Sequence, residues 1–324
     1  MMDITVLIST WNNADRLRIT LQALCACTTP ENLSWQITLV NNNCTDHTDQ
    51  VAASFQDLLP INYVHEPRQG LSRARNRGLE ASRGEWVIFT DDDVRPCSDW
   101  ISIYWRAFKA HPKHSFFGGP IVSEFEGEPP ELSLLEVAPC SVRGQDFGPS
   151  KRTLSPKEHF ISANWAARLT DIRSVDGFDR NLGLNPDAKT LSTGEESDLM
   201  DRLRSSGLVA HYLPEATLEH FVPADKASLK HILERCEAGV VGKADLYDFR
   251  LKSWILLRKP LGLYCHAFFN YLKFVAAKLT FHKGRGEYVK YRMVLSIARQ
   301  KALELAKEYG SSNNGESRQE NRSF

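Results

Sequence analysis

The chain has 324 residues with 40 basic and 40 acidic side chains, and zero net charge argues against a general nucleic-acid binder. An apolar content of 42% and a charged content of 25% are those of a globular chain able to bury a sizeable core. Seven cysteines, an odd number with no Cys-x-x-Cys pair, argue against a disulfide framework and for a reduced, cytoplasmic setting.

Ile4–Thr10 reads as a fully buried first strand, followed by the polar turn Trp11-Asn12-Asn13 and a helix carrying Leu17, Leu21 and Leu24. Trp35–Val40 is a second strand, ending in Asn41-Asn42-Asn43-Cys44-Thr45-Asp46, where Thr45 or Asp46 caps the next helix. Ile61–Val64 is a third strand, and Gly70 opens a helix over Leu71–Ala81. Gly84 resets the chain for a fourth strand that runs through Val87-Ile88-Phe89 into Asp91-Asp92-Asp93. Alternating strands and helices at this spacing imply right-handed crossovers and a largely parallel sheet with helices on both faces.

Three adjacent carboxylates repel one another, and a closed core does not accommodate them unpaired. A divalent cation resolves that conflict at a strand end, where open α/β sheets bind ligands; a solvated acidic turn is the plainer explanation. The preceding apolar strand favours the metal. No P-loop is present, and no Gly-x-Gly-x-x-Gly follows the first strand. Thr10, Trp11, Asn12 and Asn41 instead occupy the strand ends and suit a base and ribose. Trp11 either stacks on a base or packs as an ordinary aromatic.

Further on, Trp100–Ala110 reads as a helix and Phe116–Val122 as a strand interrupted by glycines. The pattern dissolves over Glu124–Pro156, as in a long functional loop. His159–Asn164 leads into a polar–aromatic turn at Asn164-Trp165, and a helix opens at Gly194-Glu195-Glu196 and runs to Ser205. Val209–Leu213 and Ala216–His220 read as two short edge strands. From about Pro223 the pattern is helical, with an amphipathic Ala227–Leu246 and an apolar Leu261–Leu279. Between Arg250 and Lys301 there are seven Lys and five Arg against Glu287 alone, so this stretch carries +11 and the remainder −11. Lys273 and Lys278 interrupt the apolar run, which argues against a spanning helix. Such a region suits an anionic membrane surface, a helical cap on the catalytic domain, or a contact between subunits. Ser311–Phe324 reads as a disordered tail.

From Ile4 to about His220 the chain resembles glycosyltransferase family 2. The resemblance rests on Val6–Asn12, Asn42–Asp46, Gly70–Asn76, Phe89–Asp93, Ser162–Arg168, Gly177-Phe178-Asp179 and Gly194–Leu199, in that order. It implies an α/β chain of GT-A type, Rossmann-like, with a mostly parallel central sheet and a C-terminal helical appendage. The catalytic domain would span 1–222, with a nucleotide-binding half to about 97 and an acceptor half from 98. A helical region would follow over 223–310, and the tail over 311–324.

The resemblance also implies roles. Asp91 and Asp93, with His220 as a ligand or a structural histidine, would hold Mg2+ or Mn2+ against the donor's diphosphate. Asp91 and Asp92 would lie near the nucleotide, as would Arg75 and Asn76. Asn164 and Trp165 would wall the sugar pocket, Trp165 by stacking on a sugar face or simply as a core aromatic. Glu196 would be the general base, with Glu195 sharing that role and Asp198 beside the acceptor. The family often has Asp where Asn41 stands; the Asn41 oxygen would accept from a uracil ring, so a UDP-sugar is favoured. The expected activity is inverting transfer from a nucleotide sugar to a hydroxyl of a glycan or lipid-linked acceptor, at the inner face of the cell membrane, without nucleic acid. A sugar nucleotidyltransferase would need a Gly-rich basic loop after the first strand, which Trp11–Asp15 does not supply. A non-catalytic nucleotide-sugar-binding protein is the non-enzymatic alternative, and the intact Asp91, Asp93 and Glu196 speak against it.

Overall fold

Apolar residues run almost unbroken through Val6–Ile8 and Trp86–Phe89, so these two strands are covered on both faces. The computed structural model describes residues 2–111, 113–184, 194–240, 255–256, 259–279 and 285–299. In chain order the elements are β1 (Ile4–Thr10), α1 (Ala14–Cys25), β2 (Trp35–Asn41), α2 (Thr48–Ser54), β3 (Ile61–His65), α3 (Leu71–Ala81), β4 (Trp86–Thr90), β5 (Val94–Pro96), α4 (Trp100–Ala110), β6 (Ser115–Gly118) and β7 (Ile121–Phe125). Two short helices follow, α5 (Leu132–Leu135) and α6 (Cys140–Arg143), and then β8 (Arg152–Thr153), β9 (Trp165–Arg168), α7 (Leu169–Ser174), α8 (Glu195–Ser205), β10 (Val209–Tyr212) and β11 (Leu218–Val222). The C-terminal helices are α9 (Leu229–Val240), α10 (Leu261–Leu279) and α11 over 285–299.

The chain forms two compact units, one of Met1–Glu124 with Gly144–Phe221, the other of Phe125–Arg143 with Val222–Phe324. In the first, an eight-stranded sheet runs β3-β2-β1-β4-β9-β6-β10-β8. β3, β2, β1 and β4 are parallel, β9 is antiparallel to both β4 and β6, and β10 is parallel to β6. Six of the eight strands therefore point the same way, and β8 and β9 are reversed. Successive residues of one strand serve opposite faces: Ile4, Val6 and Ile8 join the side chains of α1, α2 and α4, while Leu7 joins those of α3, α7 and α8.

β5, β11 and β7 make a separate three-stranded sheet. The segment read from sequence as one glycine-interrupted strand is thus two strands, β6 and β7, in different sheets. The break falls at Gly119, where an added Cβ would stand 2.1 Å from the Ala216 carbonyl oxygen. Neither of the two expected edge strands is an edge. β10 is covered by β8, which rises out of the stretch read as loop, and β11 is the middle strand of its sheet.

The second unit takes 125–143 out of the expected acceptor half. Leu134, Ala138 and Val142 from this segment share a core with Val222, Ile232 and Val289, so the two short helices are stabilised by α9 and α11. No helix among the described residues is long and apolar enough to cross a membrane. The expected disordered tail, 311–324, and residues 241–246 of the expected amphipathic helix lie outside the described residues.

Candidate active site

β4 ends at Thr90, and the acidic triplet follows at the carboxyl end of the sheet. β5 then pairs antiparallel with β11, with His220 in register with Val94. The Phe221 N–H donates to the Asp93 carbonyl at 2.9 Å, and the Thr20 hydroxyl bonds both the N–H and the carbonyl of Val94. This pairing carries His220 to the triplet: its Nε2 lies 3.4 Å from Asp93 Oδ1. Ligand atoms of Asp91, Asp93 and His220 all lie within 4.8 Å of one another. Two hard carboxylate oxygens and an imidazole nitrogen are a donor set that fits Mg2+ or Mn2+.

Asp92 accepts a hydrogen bond from Asn13 Nδ2 at 2.8 Å. Burial, with Asp93 adjacent, pushes its carboxyl up to about 7. Asp91 accepts from the Ser162 hydroxyl at 3.1 Å. Ser162 opens the Ser162–Arg168 motif and Asn13 follows Val6–Asn12, but a polar side chain in a turn carries no signal of its own partner.

α3 supplies the residue that joins the site. Arg75 is buried, with Nη1 3.1 Å from Glu195 and 3.2 Å from Glu196, and Nη2 3.5 Å from Asp91. Burial opposes its charge, but Glu196, Glu195 and Asp91 together outweigh burial and raise its pKa. Nη2 has no hydrogen-bond partner, so a buried donor points beside Asp91. Glu195 and Glu196 are in the first turn of α8, which follows Gly194 at φ 102°. Burial and the neighbouring Glu196 push Glu195 up to about 7, against the pull of Arg75. Both carboxylates thus face one cation.

Other expected residues have different partners. Asn76 bonds the N–H and the carbonyl of Phe178, clamping the turn at Gly177, where φ is 64°. Its amide is therefore directed at the backbone and not at a ligand. Asn164 is fully buried; its oxygen accepts from Trp100 and Tyr104, each at 2.9 Å, and its nitrogen donates to the carbonyls of Pro120 and Ala216. Trp165 lies on a central strand, buried and stacked on Phe89 at 4.4 Å between ring centroids. Both belong to the core, and neither presents a face to a sugar. Asp198 pairs with Arg202 one turn along α8.

On the nucleotide side, Thr10 is buried and Trp11 is 46% exposed at the sheet's carboxyl end. The Asn12 oxygen accepts from the Thr45 N–H at 2.7 Å. The Asn41 oxygen, expected to face a uracil ring, already accepts from the Cys44 N–H at 2.7 Å, and its nitrogen donates to Asp49 and Tyr63. Asn41 therefore shapes the turn, with one lone pair left on its oxygen. Asp46 accepts from the N–H groups of Ala14 and Thr48, tying the starts of α1 and α2 together.

A doubly covered α/β sheet with an Asp-x-Asp pair at its carboxyl end defines the GT-A class of fold, and solved structures agree. The mannosyltransferase PcManGT from Pyrobaculum calidifontis, in complex with GDP-Man and Mn2+, superposes with a TM-score of 0.61 at 18% identity, over 93% of this chain and 86% of that one. TarS 1-349 from S. aureus, in complex with UDP-GlcNAc, gives 0.55 at 14% identity over 92% of each chain. Residues 5–172 match the model of glycosyl transferase family 2, and the chain belongs to that family. The pre-mycofactocin glycosyltransferase of Mycobacterium tuberculosis is 29% identical over 223 residues, 67% of this chain but 42% of that protein. The succinoglycan biosynthesis protein ExoM of Rhizobium meliloti is 25% identical over 229 residues, 67% of this chain and 66% of that protein. The chain thus spans less than half of the first of these relatives and about two thirds of the second.

Proposed function

We propose that the protein is an inverting glycosyltransferase that moves a sugar from a nucleotide diphosphate donor, a UDP-sugar in the favoured reading, to a hydroxyl of a glycan or lipid-linked acceptor. The observation that carries the reading is Arg75, whose one guanidinium meets Asp91 on one side and Glu195 and Glu196 on the other. Asp91, Asp93 and His220 would hold Mg2+ or Mn2+, which as a Lewis acid would offset charge on the leaving nucleotide. Arg75 Nη2, buried without a hydrogen bond, suits an oxygen of the donor beside Asp91. Glu196 takes the proton from the acceptor hydroxyl, with Glu195 sharing its charge through Arg75. The hydroxyl then attacks the anomeric carbon from the face opposite the nucleotide, which inverts that centre. The +11 C-terminal stretch draws the enzyme to an anionic membrane surface, where a lipid-linked acceptor would reside.

The donors in complex with the structural neighbours, UDP-GlcNAc for TarS and GDP-Man for PcManGT, set the first panel for a test. Thermal-shift measurements across UDP- and GDP-sugars, with and without Mn2+, should show one donor stabilising the protein only when Mn2+ is present. Stabilisation by no nucleotide sugar would contradict the reading.

A further inference from the structure

α10 has two dissimilar faces. On one, Leu263 and Ala267 are buried, and Leu263 shares a core with Ile297 and Ala298 of α11. Asn270 is buried too, and Tyr271 and Phe274 lie against Tyr291 and Tyr288 at 5.3 and 5.2 Å between ring centroids. At 3.6 residues per turn, Cys265, Phe268, Phe269 and Leu272 fall together on the opposite face. They are exposed, Phe268 by 57%, Phe269 by 61% and Leu272 by 44%. The helix contains no acidic residue, and the exposed His266 and Lys273 line one edge of the stripe.

We propose that this stripe is a docking surface for an anionic lipid bilayer, with α10 lying in the interface plane, Phe268, Phe269 and Leu272 entering the acyl boundary and Lys273 meeting the headgroups. The inference deepens the membrane placement proposed above by naming the surface. Charge selects the occupant. The charged residues of α10 are lysines alone, so a second copy docked through the same helix would meet like charge, whereas an anionic bilayer supplies the opposite one. A stripe two turns long beside lysine is the pattern of a helix that lies on a membrane, and no described helix is long and apolar enough to cross one.

The test is co-sedimentation of the full chain with vesicles of phosphatidylcholine containing about a third phosphatidylglycerol, and with pure phosphatidylcholine. The wild-type chain should sediment with the anionic vesicles, less so in high salt, and weakly with the neutral ones. The double variant Phe268→Glu/Phe269→Glu, and the milder Phe268→Ser/Phe269→Ser, should lose partitioning by roughly tenfold or more. Both should keep the wild-type melting temperature, because the replaced side chains are exposed. Lys273→Glu should weaken binding to anionic vesicles and leave binding to neutral ones unchanged. If the double variants sediment like wild type, α10 is not the docking element although the membrane placement stands. If the wild-type chain ignores anionic vesicles, the placement and the inference both fall. A wild-type dimer that the double variants turn into monomers, without vesicle binding, would assign the stripe to a second copy and overturn the proposal.

Discussion

The guanidinium of Arg75 stands 3.2 Å from the carboxylate of Glu196, across 121 residues of sequence. The same side chain reaches Asp91, so the acidic strand end and the first turn of α8 meet at one buried cation. Removing that cation leaves Glu195 and Glu196 facing each other without a counter-charge. Arg75→Gln should destabilise the protein by about 3–5 kcal/mol, the cost of breaking a buried ion pair from one side. It should also move the acid limb of kcat/KM to higher pH, because the carboxylates lose the group that favours their ionised form. Thermal melts and a pH–rate profile read the two effects separately.

The pH dependence expected of the wild-type protein has a definite sign. Glu195 is pushed up to about 7 by burial and by Glu196. A base must be deprotonated to act, so with Glu195 sharing the role of base kcat/KM should be low in acid, rise as pH passes about 7, and level off above it. A profile already flat from pH ~5 upward would remove Glu195 from the role of base and leave it to Glu196 alone.

Metal dependence should follow Asp93 and His220. Asp93→Asn should abolish Mn2+-dependent donor binding, and His220→Ala should weaken Mn2+ affinity by roughly tenfold or more, measured by titrating Mn2+ at saturating donor. Unchanged Mn2+ affinity in His220→Ala would remove the imidazole from the ligand set.

Asn164 separates a core role from a pocket role. Asn164→Ala would strip partners from Trp100, Tyr104 and the carbonyls of Pro120 and Ala216. A loss of about 3 kcal/mol in stability, with KM for the donor unchanged in the folded fraction, is the expected outcome in denaturation and rate measurements. A raised KM without a stability loss would return Asn164 to the sugar pocket.

These residues also show how far the sequence was legible. Apolar runs bounded by turns exposed the four parallel strands, and three carboxylates after a buried strand marked the site, because local pattern carries both. Resemblance supplied Glu196 and His220, yet not what brings them in: His220 arrives through the β5–β11 pairing, and Glu196 through an arginine on α3. Asn164 and Trp165 look from sequence like a polar–aromatic turn. The insertion of β9 between β4 and β6 puts Trp165 in the core, and bonds to Trp100, Tyr104, Pro120 and Ala216 put Asn164 there. Asn76 and Asn41 likewise read as ligand-facing amides until their backbone partners are known. A side chain's partner is a property of the fold, and a short polar residue has too many local options for spacing to decide among them.

The central claim is that Asp91 and Asp93 serve the donor while Glu196 serves the acceptor. Calorimetric titration of the donor with Mn2+ into Glu196→Gln, paired with a transfer assay, tests it most directly. The account predicts donor affinity within about twofold of wild type and transfer reduced roughly 10²–10⁴-fold. Transfer at the wild-type rate, or loss of donor binding in step with transfer, would contradict it.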